Sequence, residues 1–389
     1  MKKLIALLLA CVMVLGLAAC GSKPAETTAP AADGTTPAES TPAVSGVEYK
    51  IAMITDYGDI TDQSFNQTTY EACKQYADAN GVPFTYYKPQ GDSDAERIGM
   101  VDAAVADGYN IIVMPGYAFA NTIKATAELY PDVLFFALDV GPGDFGDYVL
   151  PANVYSAIYQ EELCGYMSGY AAVKLGYKHV GFLGGMAVPA VVRYGYGFVQ
   201  GVDAAAVELG IQNEVKLEYI YGNQFWGDAD ITAVMDTWYS EKGVEIVFAC
   251  GGGIWTSAAE AAVKVGGKVI GVDVDQAAII DGLYGEGLTV TSAMKGLGPT
   301  TLDTLADIID NGNWSKYSGQ ISTLGLISED PEANYVQIPM ATTQFAETFT
   351  QDDYKAMVAG MYNGTIVVSA DIENAPATEI AVEYHPNIK

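Results

Sequence analysis

Polar residues and glycines directly follow four apolar runs that have the composition of β-strands. They are Asp56, Asp139, Gly251-Gly252-Gly253, and the set Asp273, Asp275 and Gln276. A carboxylate at such a position can accept hydrogen bonds from the hydroxyls or amines of a small ligand, and a buried hydrogen bond to a charged group contributes about 1.5–3 kcal/mol. Glycine there lets the backbone approach a ligand closely. These residue types favour a site that binds a polar small molecule.

The same residues also have a structural interpretation. Asp is a preferred helix N-cap, and a glycine triplet suits a tight turn from strand to helix. Capping explains any one Asp as well as binding does, but it explains the set less well because its members fall at one edge of the predicted sheets. The glycine triplet is not followed by the Gly-Lys-Ser/Thr of a P-loop, and it lacks the spacing of the dinucleotide-binding fingerprint.

Strands and helices alternate in two series along the chain, and this alternation must position the strand-end residues. The predicted strands cover residues 50–54, 83–87, 110–114 and 134–138, then 179–183, 216–221, 245–249 and 268–272. A long helix is predicted between the two series, over residues 156–174. β-Branched and aromatic strands that alternate with helices indicate parallel βαβ units. We therefore predict an α/β fold with two lobes of parallel sheet, whose ligand lies beyond the carboxyl ends of the strands.

The two lobes are expected to share the chain in several pieces. The sequence of 389 residues is long enough for two lobes rather than one core. Beyond residue 289 the pattern is less regular, so we expect the chain to cross between the lobes more than once. Lobe 1 is assigned residues 47–155 and about 290–325, and lobe 2 is assigned residues 156–289 and about 340–375.

The charge balance and the side-chain inventory exclude several functions. A formal net charge of −29 leaves little to neutralise phosphates, which argues against a nucleic-acid partner. The chain has two histidines, His179 and His385, and no ligand-spaced Cys/His cluster, so neither a metal site nor a cofactor is predicted. Cys73, Cys164 and Cys250 are widely spaced in apolar sequence, which predicts buried thiols rather than a disulfide framework.

The first 46 residues predict export and membrane anchoring. Two lysines precede an apolar run, and Leu17-Ala18-Ala19-Cys20 completes a lipobox. This pattern indicates a signal peptide, residues 1–19, cut before Cys20, whose thiol then carries the lipid. The alternative is an ordinary signal peptide with an incidental cysteine. Residues 20–46 are rich in Ala, Thr, Pro and Ser, which predicts a disordered tether. We thus expect a domain lipid-anchored to the outer face of a bacterial cytoplasmic membrane, at the cell surface or in a periplasm.

Several stretches resemble a known family. Residues 54–67, which read ITDYGDITDQSFNQ, resemble the opening signature of the basic membrane protein family, the PnrA-like substrate-binding lipoproteins of ABC transporters. Further similar stretches are 136–139 (FALD), 162–166 (ELCGY), 184–201, 271–276 (GVDVDQ) and 291–295 (TSAMK). The resemblance covers nearly all of the region expected to fold. It implies a type I periplasmic-binding-protein fold, with two Rossmann-like lobes that close on a purine nucleoside.

The resemblance also implies which residues hold the base. By position, Phe65 and Phe198 would stack on its two faces, while Asn66 and Asp139 would contact its polar edge. Stacking of an aromatic side chain on a base is worth about 1–3 kcal/mol. The alternative for both phenylalanines is a purely structural role in the hydrophobic core, where most phenylalanine side chains are found.

Ribose contacts are implied in the same way. Asp56, Asp273 and Lys295, with the backbone of Gly252 and Gly253, would hold the sugar. Ionised Asp accepts well from the two hydroxyls of a ribose diol, and Lys295 would partly offset the acidic cluster. Few cations map to the cleft, which favours an uncharged nucleoside over a nucleotide.

Three residues depart from the family pattern. Trp226 stands where the family has a short Ser/Asp-containing strand end and could replace or join a stacking residue, while Trp255 and Arg193 also lie near the expected pocket. These changes leave open another ligand of the same fold, such as a sugar-like compound or a riboflavin-type heterocycle.

The principal hypothesis is uptake. The partners expected for it are a nucleoside, the permease and ATPase subunits of an ABC transporter, and the membrane through the lipid anchor, with the binding protein itself a monomer. A nucleoside sensor with the same lobes is an alternative. An exported nucleoside-cleaving enzyme is a weaker one, because no Gly-x-Ser-x-Gly elbow with a partner histidine is present.

Overall fold

The structure, a computed structural model, describes residues 47–389. The predicted signal peptide, the lipidated Cys20 and the tether of residues 20–46 lie outside the described residues. The described residues belong to one compact unit. Within residues 47–389, no helix combines the length and the hydropathy that crossing a membrane requires.

Strands and helices alternate along most of the described chain. The strands are β1 Ile51–Ile54, β2 Phe84–Tyr87, β3 Ile111–Pro115, β4 Leu134–Leu138, β5 Val154–Tyr159, β6 His179–Gly184, β7 Lys216–Tyr221, β8 Ile246–Cys250, β9 Lys268–Asp273, β10 Thr289–Lys295, β11 Gln320–Leu324, β12 Val336–Gln337 and β13 Ala381–Tyr384. The helices are α1 Phe65–Asn80, α2 Asp94–Ala106, α3 Ala120–Thr126, α4 Pro142–Phe145, α5 Glu161–Lys174, α6 Pro189–Leu209, α7 Ala229–Thr237, α8 Trp255–Ala262, α9 Ala277–Tyr284, α10 Leu297–Ile309 and α11 Gln351–Tyr362.

Two sheets organise these elements. The first has the order β11-β5-β4-β3-β1-β2 and the second β12-β10-β9-β8-β6-β7-β13. Every strand pair is parallel except β10 with β12. The strands β1, β3 and β8 are buried along their whole length, as expected for parallel strands covered on both faces. The prediction of an α/β fold with parallel sheets is confirmed.

We propose that each sheet, with the helices packed on it, forms one lobe. The chain leaves the first sheet after β5, since α5 packs on α6 and β10 of the second sheet. It returns with α10, which packs on α1, and with β11. The predicted return at about residue 290 is therefore too early: β10 pairs with β9 in the second sheet, and the crossing follows Lys295. The predicted helix over 156–174 is also too long, because its first residues belong to β5.

Glycines bring α5 and α6 unusually close together. A Cβ on Gly165 would lie 2.2 Å from the Tyr194 carbonyl oxygen, and one on Gly197 would lie 2.1 Å from the Glu162 carbonyl oxygen. Only glycine tolerates such backbone contact. The close packing sets the second turn of α6, which carries Tyr194, against Gly165 of α5.

Candidate functional site

A cavity of about 370 Å³ lies between the two sheets, at the carboxyl ends of their strands. This is the position expected for a ligand in open parallel sheets, and the volume falls within the range of small-molecule pockets. Nine of the ten residues predicted to bind ligand line it: Asp56, Phe65, Asn66, Asp139, Trp226, Gly252, Gly253, Asp273 and Lys295.

Phe198 is the exception, and its predicted stacking role is wrong for this structure. Its side chain is fully buried in the core, with its ring 5.4 Å from that of Phe248 and 6.4 Å from that of Phe182. Tyr194, one helical turn earlier on α6, lines the cavity instead. The residues of α6 that line the cavity, Ala190, Val191 and Tyr194, lie in its first two turns, and Phe198 lies beyond them.

The structure also places the other unusual residues of the sequence. Trp255 is buried in the second lobe, edge-on to the ring of Tyr284, and does not line the cavity. Arg193 does not line it either; its Nε donates to Glu161 Oε2 at 2.6 Å. The sequence interpretation missed several lining residues, namely Tyr57, Asp62, Lys88, Tyr117, Val188, Val191, Tyr194 and Phe225. Tyr57 and Tyr117 each come just after a predicted strand, and this position in the sequence could have indicated that they line the cavity.

A buried ion cluster forms the floor of the cavity. Lys295 Nζ donates to Asp139 Oδ2 and lies 3.4 Å from Glu161 Oε1 and 3.6 Å from Asp273 Oδ1. The ion pair of Arg193 with Glu161 extends the cluster. Three carboxylates from three different segments thus share two cations, so the cluster carries excess negative charge.

Burial controls the protonation of this cluster. Burial raises the pKa of Asp139 to about 7; Lys295 opposes the rise and the charge of Glu161 adds to it. Burial alone would lower the pKa of Lys295, but the charges of Asp139, Asp273 and Glu161 raise it above its usual value. Lys295 therefore stays charged at neutral pH, whereas Asp139 titrates near it.

Aromatic faces surround the lysine. Its Nζ lies 4.7 Å from the ring centre of Phe65 and 5.6 Å from those of Tyr159 and Tyr194. Cation–π attraction at such distances stabilises the ammonium group in a desolvated site. Phe65 and Tyr194 come from different lobes, and both line the cavity.

A second acidic group lies in the loop between β1 and α1. Asp56 Oδ1 accepts from the backbone N–H groups of Tyr57 and Gly58, at 2.6 and 2.7 Å, and burial raises the pKa of Asp56. Asp62, rather than Asp56, accepts from the first amides of α1, including that of Asn66 at 2.9 Å. The capping alternative therefore does not account for Asp56.

Backbone geometry argues against capping at two further carboxylates. Asp139 and Asp273 have φ values of 61° and 65°, whereas a cap is extended. Such left-handed residues are uncommon outside glycine, and they cluster at functional sites. Asp275 and Gln276 do have structural roles: Asp275 Oδ1 accepts from the Ala277 N–H, and Gln276 Oε1 accepts from the Val272 N–H.

Two buried acceptor atoms at the cavity have no partner among the described residues. They are Asp139 Oδ1 and Asn66 Oδ1. A buried acceptor without a hydrogen bond destabilises a protein by about 1–3 kcal/mol. Both atoms are thus suited to accept hydrogen bonds from a bound molecule.

Contacts across the cleft join the two lobes around the cavity. Ser64 Oγ donates to Asp273 Oδ2 at 2.6 Å, and the Tyr57 and Tyr117 hydroxyls lie 3.5 and 3.7 Å from Met186 Sδ. In each pair one residue lies in a loop after a strand of the first sheet, and the other lies at the end of a strand of the second sheet or in the loop after it. The structure therefore shows the lobes in contact.

Away from the cavity, acidic and histidine side chains meet at one further place. Among residues 47–389, Glu218, Glu383 and His385 bring their potential ligand atoms within 4.8 Å of one another. Lys242 Nζ already donates to Glu218 at 2.7 Å, so an ammonium group compensates this charge. The three cysteines of the described chain, Cys73, Cys164 and Cys250, are free and buried, as predicted.

Comparisons with known proteins agree with this architecture. A family described as PnrA-like ABC transporter substrate-binding proteins matches residues 49–346. A protein from Lactococcus lactis, named ABC transporter nucleoside-binding protein BmpA, is 26% identical over 242 residues. The match covers 59% of this chain and 65% of the Lactococcus protein, so this chain spans just under two thirds of that relative's length. Basic membrane protein B from Borreliella afzelii is 26% identical over 285 residues, 72% of this chain and 79% of that protein. A solute-binding protein structure from Aeropyrum pernix matches with a TM-score of 0.62 at 20% identity, covering 82% of this chain and 87% of that one, which supports the fold.

Proposed function

Because this chain belongs to the family of PnrA-like substrate-binding proteins of ABC transporters, we propose that its cavity binds a purine nucleoside for uptake. The observation that carries the proposal is the pairing of two aromatic side chains with unpartnered buried acceptors in one enclosed cavity. A flat heterocycle with N–H groups matches that combination. The printed name of the Lactococcus relative, a nucleoside-binding protein, supports the same ligand class.

In this proposal the base lies between Phe65 and Tyr194. Tyr194 takes the role that the sequence interpretation gave to Phe198, because it is the residue of α6 that lines the cavity. Asn66 Oδ1 and Asp139 Oδ1 accept hydrogen bonds from the polar edge of the base. These atoms gain the partners that they lack within the protein.

The ribose is held by the remaining predicted residues. Asp56 and Asp273 accept from its hydroxyls, Lys295 donates to it, and the Gly252 and Gly253 backbone allows close approach. Trp226 lies at the mouth of the cavity, with 54% of its surface exposed, where it can cover a bound ligand.

Charge favours a nucleoside over a nucleotide. Of the cations near the cavity, Lys295 is shared among three carboxylates, Arg193 pairs with Glu161, and Lys88 pairs with Asp59. Each of the lysines and arginines that the structure describes near the cavity is thus already paired, and the surrounding carboxylates repel a phosphate.

Transport follows from closure of the lobes. A ligand that contacts both lobes binds the closed form more tightly, so it shifts the population toward closure. The permease and ATPase subunits of the transporter then respond to the closed form. Members of the family are described as substrate-binding proteins, and we propose binding without a chemical step, by a monomer that does not bind nucleic acid.

Anchoring completes the proposal. The lipobox ending in Cys20 would hold the exported domain at the outer face of the cytoplasmic membrane, and residues 21–46 would give it room to move. Incorporation of a radiolabelled fatty acid into the wild-type chain, but not into Cys20→Ser, tests this step. Equal labelling of both would refute it.

A thermal-shift panel tests the ligand class. The domain of residues 47–389, freed of co-purified ligand, is heated with adenosine, guanosine, inosine, cytidine, uridine, free bases, ribose and riboflavin. A ligand at a hundredfold excess over Kd stabilises the folded state by about 2.7 kcal/mol. We expect upward shifts with purine nucleosides. Shifts only with ribose or riboflavin would refute the proposed ligand and keep the fold.

A further inference from the structure

The last segment of the chain adds an edge strand to the second sheet. We call residues 363–389 the strap. Within it, β13 pairs in parallel with β7, and the pairing continues with the Ile388 N–H donating to the Tyr221 carbonyl at 2.9 Å. The strap lies beyond residues 49–346, the region that matches the family.

The end of the strap contacts the loop that carries two cavity residues. We call residues 222–228 the pocket loop; it holds Phe225 and Trp226, which line the cavity. Lys389 Nζ donates to Asp228 Oδ2. The same oxygen accepts from Gln224 Nε2 at 2.8 Å, and Gln224 Nε2 also donates to the Trp226 carbonyl at 2.8 Å.

Other hydrogen bonds also hold the two ends of the pocket loop. The Gly222 and Asn223 N–H groups each donate to a carbonyl at 2.8 Å, and the Asp228 N–H donates to Ser257 Oγ at 3.0 Å. In the middle of the loop the Phe225 carbonyl accepts from the Gly253 N–H at 2.8 Å. Trp226 is more than half exposed, so burial does not fix its position. The bonds of Gln224 to Asp228 and to the Trp226 carbonyl therefore add to these contacts in orienting Trp226 over the cavity.

We propose that the strap positions the pocket loop for ligand binding, through the connected side chains of Lys389, Asp228 and Gln224. These are positioning residues, since they act on the ligand through Phe225 and Trp226. The inference deepens the proposed function and rests on it for the identity of the ligand, but the effect on the loop is independent of any ligand.

The electrostatics agree with this geometry. The hydrogen bond from Lys389 is the main cause that lowers the pKa of Asp228 to about 2. Asp228 is therefore ionised at all physiological pH values. Its other oxygen, Oδ1, accepts from the Asp230 and Ile231 N–H groups at the start of α7, which fixes the carboxylate in place.

Two readouts on matched variants test the inference. Lys389→Ala is compared with Lys389→Arg, which keeps the charge, and with Lys355→Ala, which removes an exposed lysine of α11 paired with Asp352. The first readout is amide hydrogen exchange of residues 222–228 in the ligand-free protein. The second is the Kd for the purine nucleoside.

Lys389→Ala should speed exchange in the pocket loop and raise the Kd about two- to fivefold, the range of a partly exposed ion pair. Lys389→Arg and Lys355→Ala should match wild type. Gln224→Ala should raise the Kd as well, and adding Lys389→Ala to it should have little further effect, because both act along one path.

Wild-type exchange in the pocket loop of Lys389→Ala would overturn the inference, and so would fully additive effects of the two substitutions. If wild type binds no nucleoside, the proposed function fails, and the exchange measurement still decides whether the strap orders the loop.

Discussion

Two aromatic residues one turn apart on α6 should have opposite roles. Tyr194 lines the cavity, whereas Phe198 is packed in the core between Phe182 and Phe248. We expect Tyr194→Ala to weaken binding of the nucleoside and Phe198→Ala to weaken the fold. The two substitutions lie on the same helix and remove a similar ring, so comparing them separates the loss of a ligand contact from the loss of core packing.

The structure sets the expected magnitudes. Loss of a stacking ring removes about 1–3 kcal/mol of binding free energy, which corresponds to a rise in Kd of about fivefold to 150-fold for Tyr194→Ala. Tyr194→Phe keeps the ring and loses only the hydroxyl bond to Asp273 Oδ1 at 3.2 Å, so it should remain within about tenfold of wild type. Phe198→Ala leaves a cavity in the core and should lower the free energy of unfolding by about 3–5 kcal/mol.

Calorimetric titration gives the Kd, and urea denaturation gives the stability of each variant. Titrations are made at a temperature where all variants are folded. A Kd for Phe198→Ala that rises as much as that for Tyr194→Ala, without loss of stability, would refute the reasoning and restore Phe198 as a ligand contact.

Three further predictions concern the ion cluster and closure. Burial raises the pKa of Asp139 to about 7, and the ligand is expected to donate to its ionised form. The Kd should therefore rise about tenfold as the pH falls from 8 to 6, because the fraction of protein with ionised Asp139 falls. Calorimetric titration of Asp139→Asn across this range should give a constant Kd, and a constant Kd for wild type would contradict the assignment. Lys295→Met leaves three buried carboxylates, Asp139, Glu161 and Asp273, without their shared cation. The substitution should lower the free energy of unfolding by about 3–5 kcal/mol in urea denaturation. A Lys295→Met variant as stable as wild type would show that the cluster is not charged as described. Ser64→Ala removes a buried bond of 2.6 Å to Asp273 across the cleft. It should raise the Kd about tenfold in calorimetry and lower the free energy of unfolding by about 1.5–3 kcal/mol in urea denaturation. An unchanged Kd would mean that this bond does not support closure.

Sequence pattern predicted most of the fold because its strands are short apolar runs between clear helices. It failed at β5, where residues 156–159 of the strand were joined to the following helix. A buried strand and a buried helix are both apolar, and a short run does not distinguish them. The position of β10 was missed for a related reason: the lobe to which a strand belongs depends on sheet pairing, which the local sequence does not contain.

The site was predictable to the extent that strand ends converge at one edge of a parallel sheet. Asp56, Asp139 and Asp273 follow directly from that rule. The rule does not say which turn of a helix reaches the cleft. The resemblance implied a stacking role for Phe198, and nothing in the sequence pointed to Tyr194, which lines the cavity. Contacts such as that of Lys389 with Asp228 join distant segments, so only the assembled second sheet reveals them.

Calorimetric titration with adenosine, guanosine and inosine tests nucleoside binding most directly. It uses the domain of residues 47–389, stripped of ligand by unfolding and refolding. We expect saturable binding of at least one purine nucleoside at one site per chain, with weaker binding of the matching nucleoside monophosphate. Folded protein that gives no binding heat with any of the three, or that prefers the monophosphate, would contradict the proposed function.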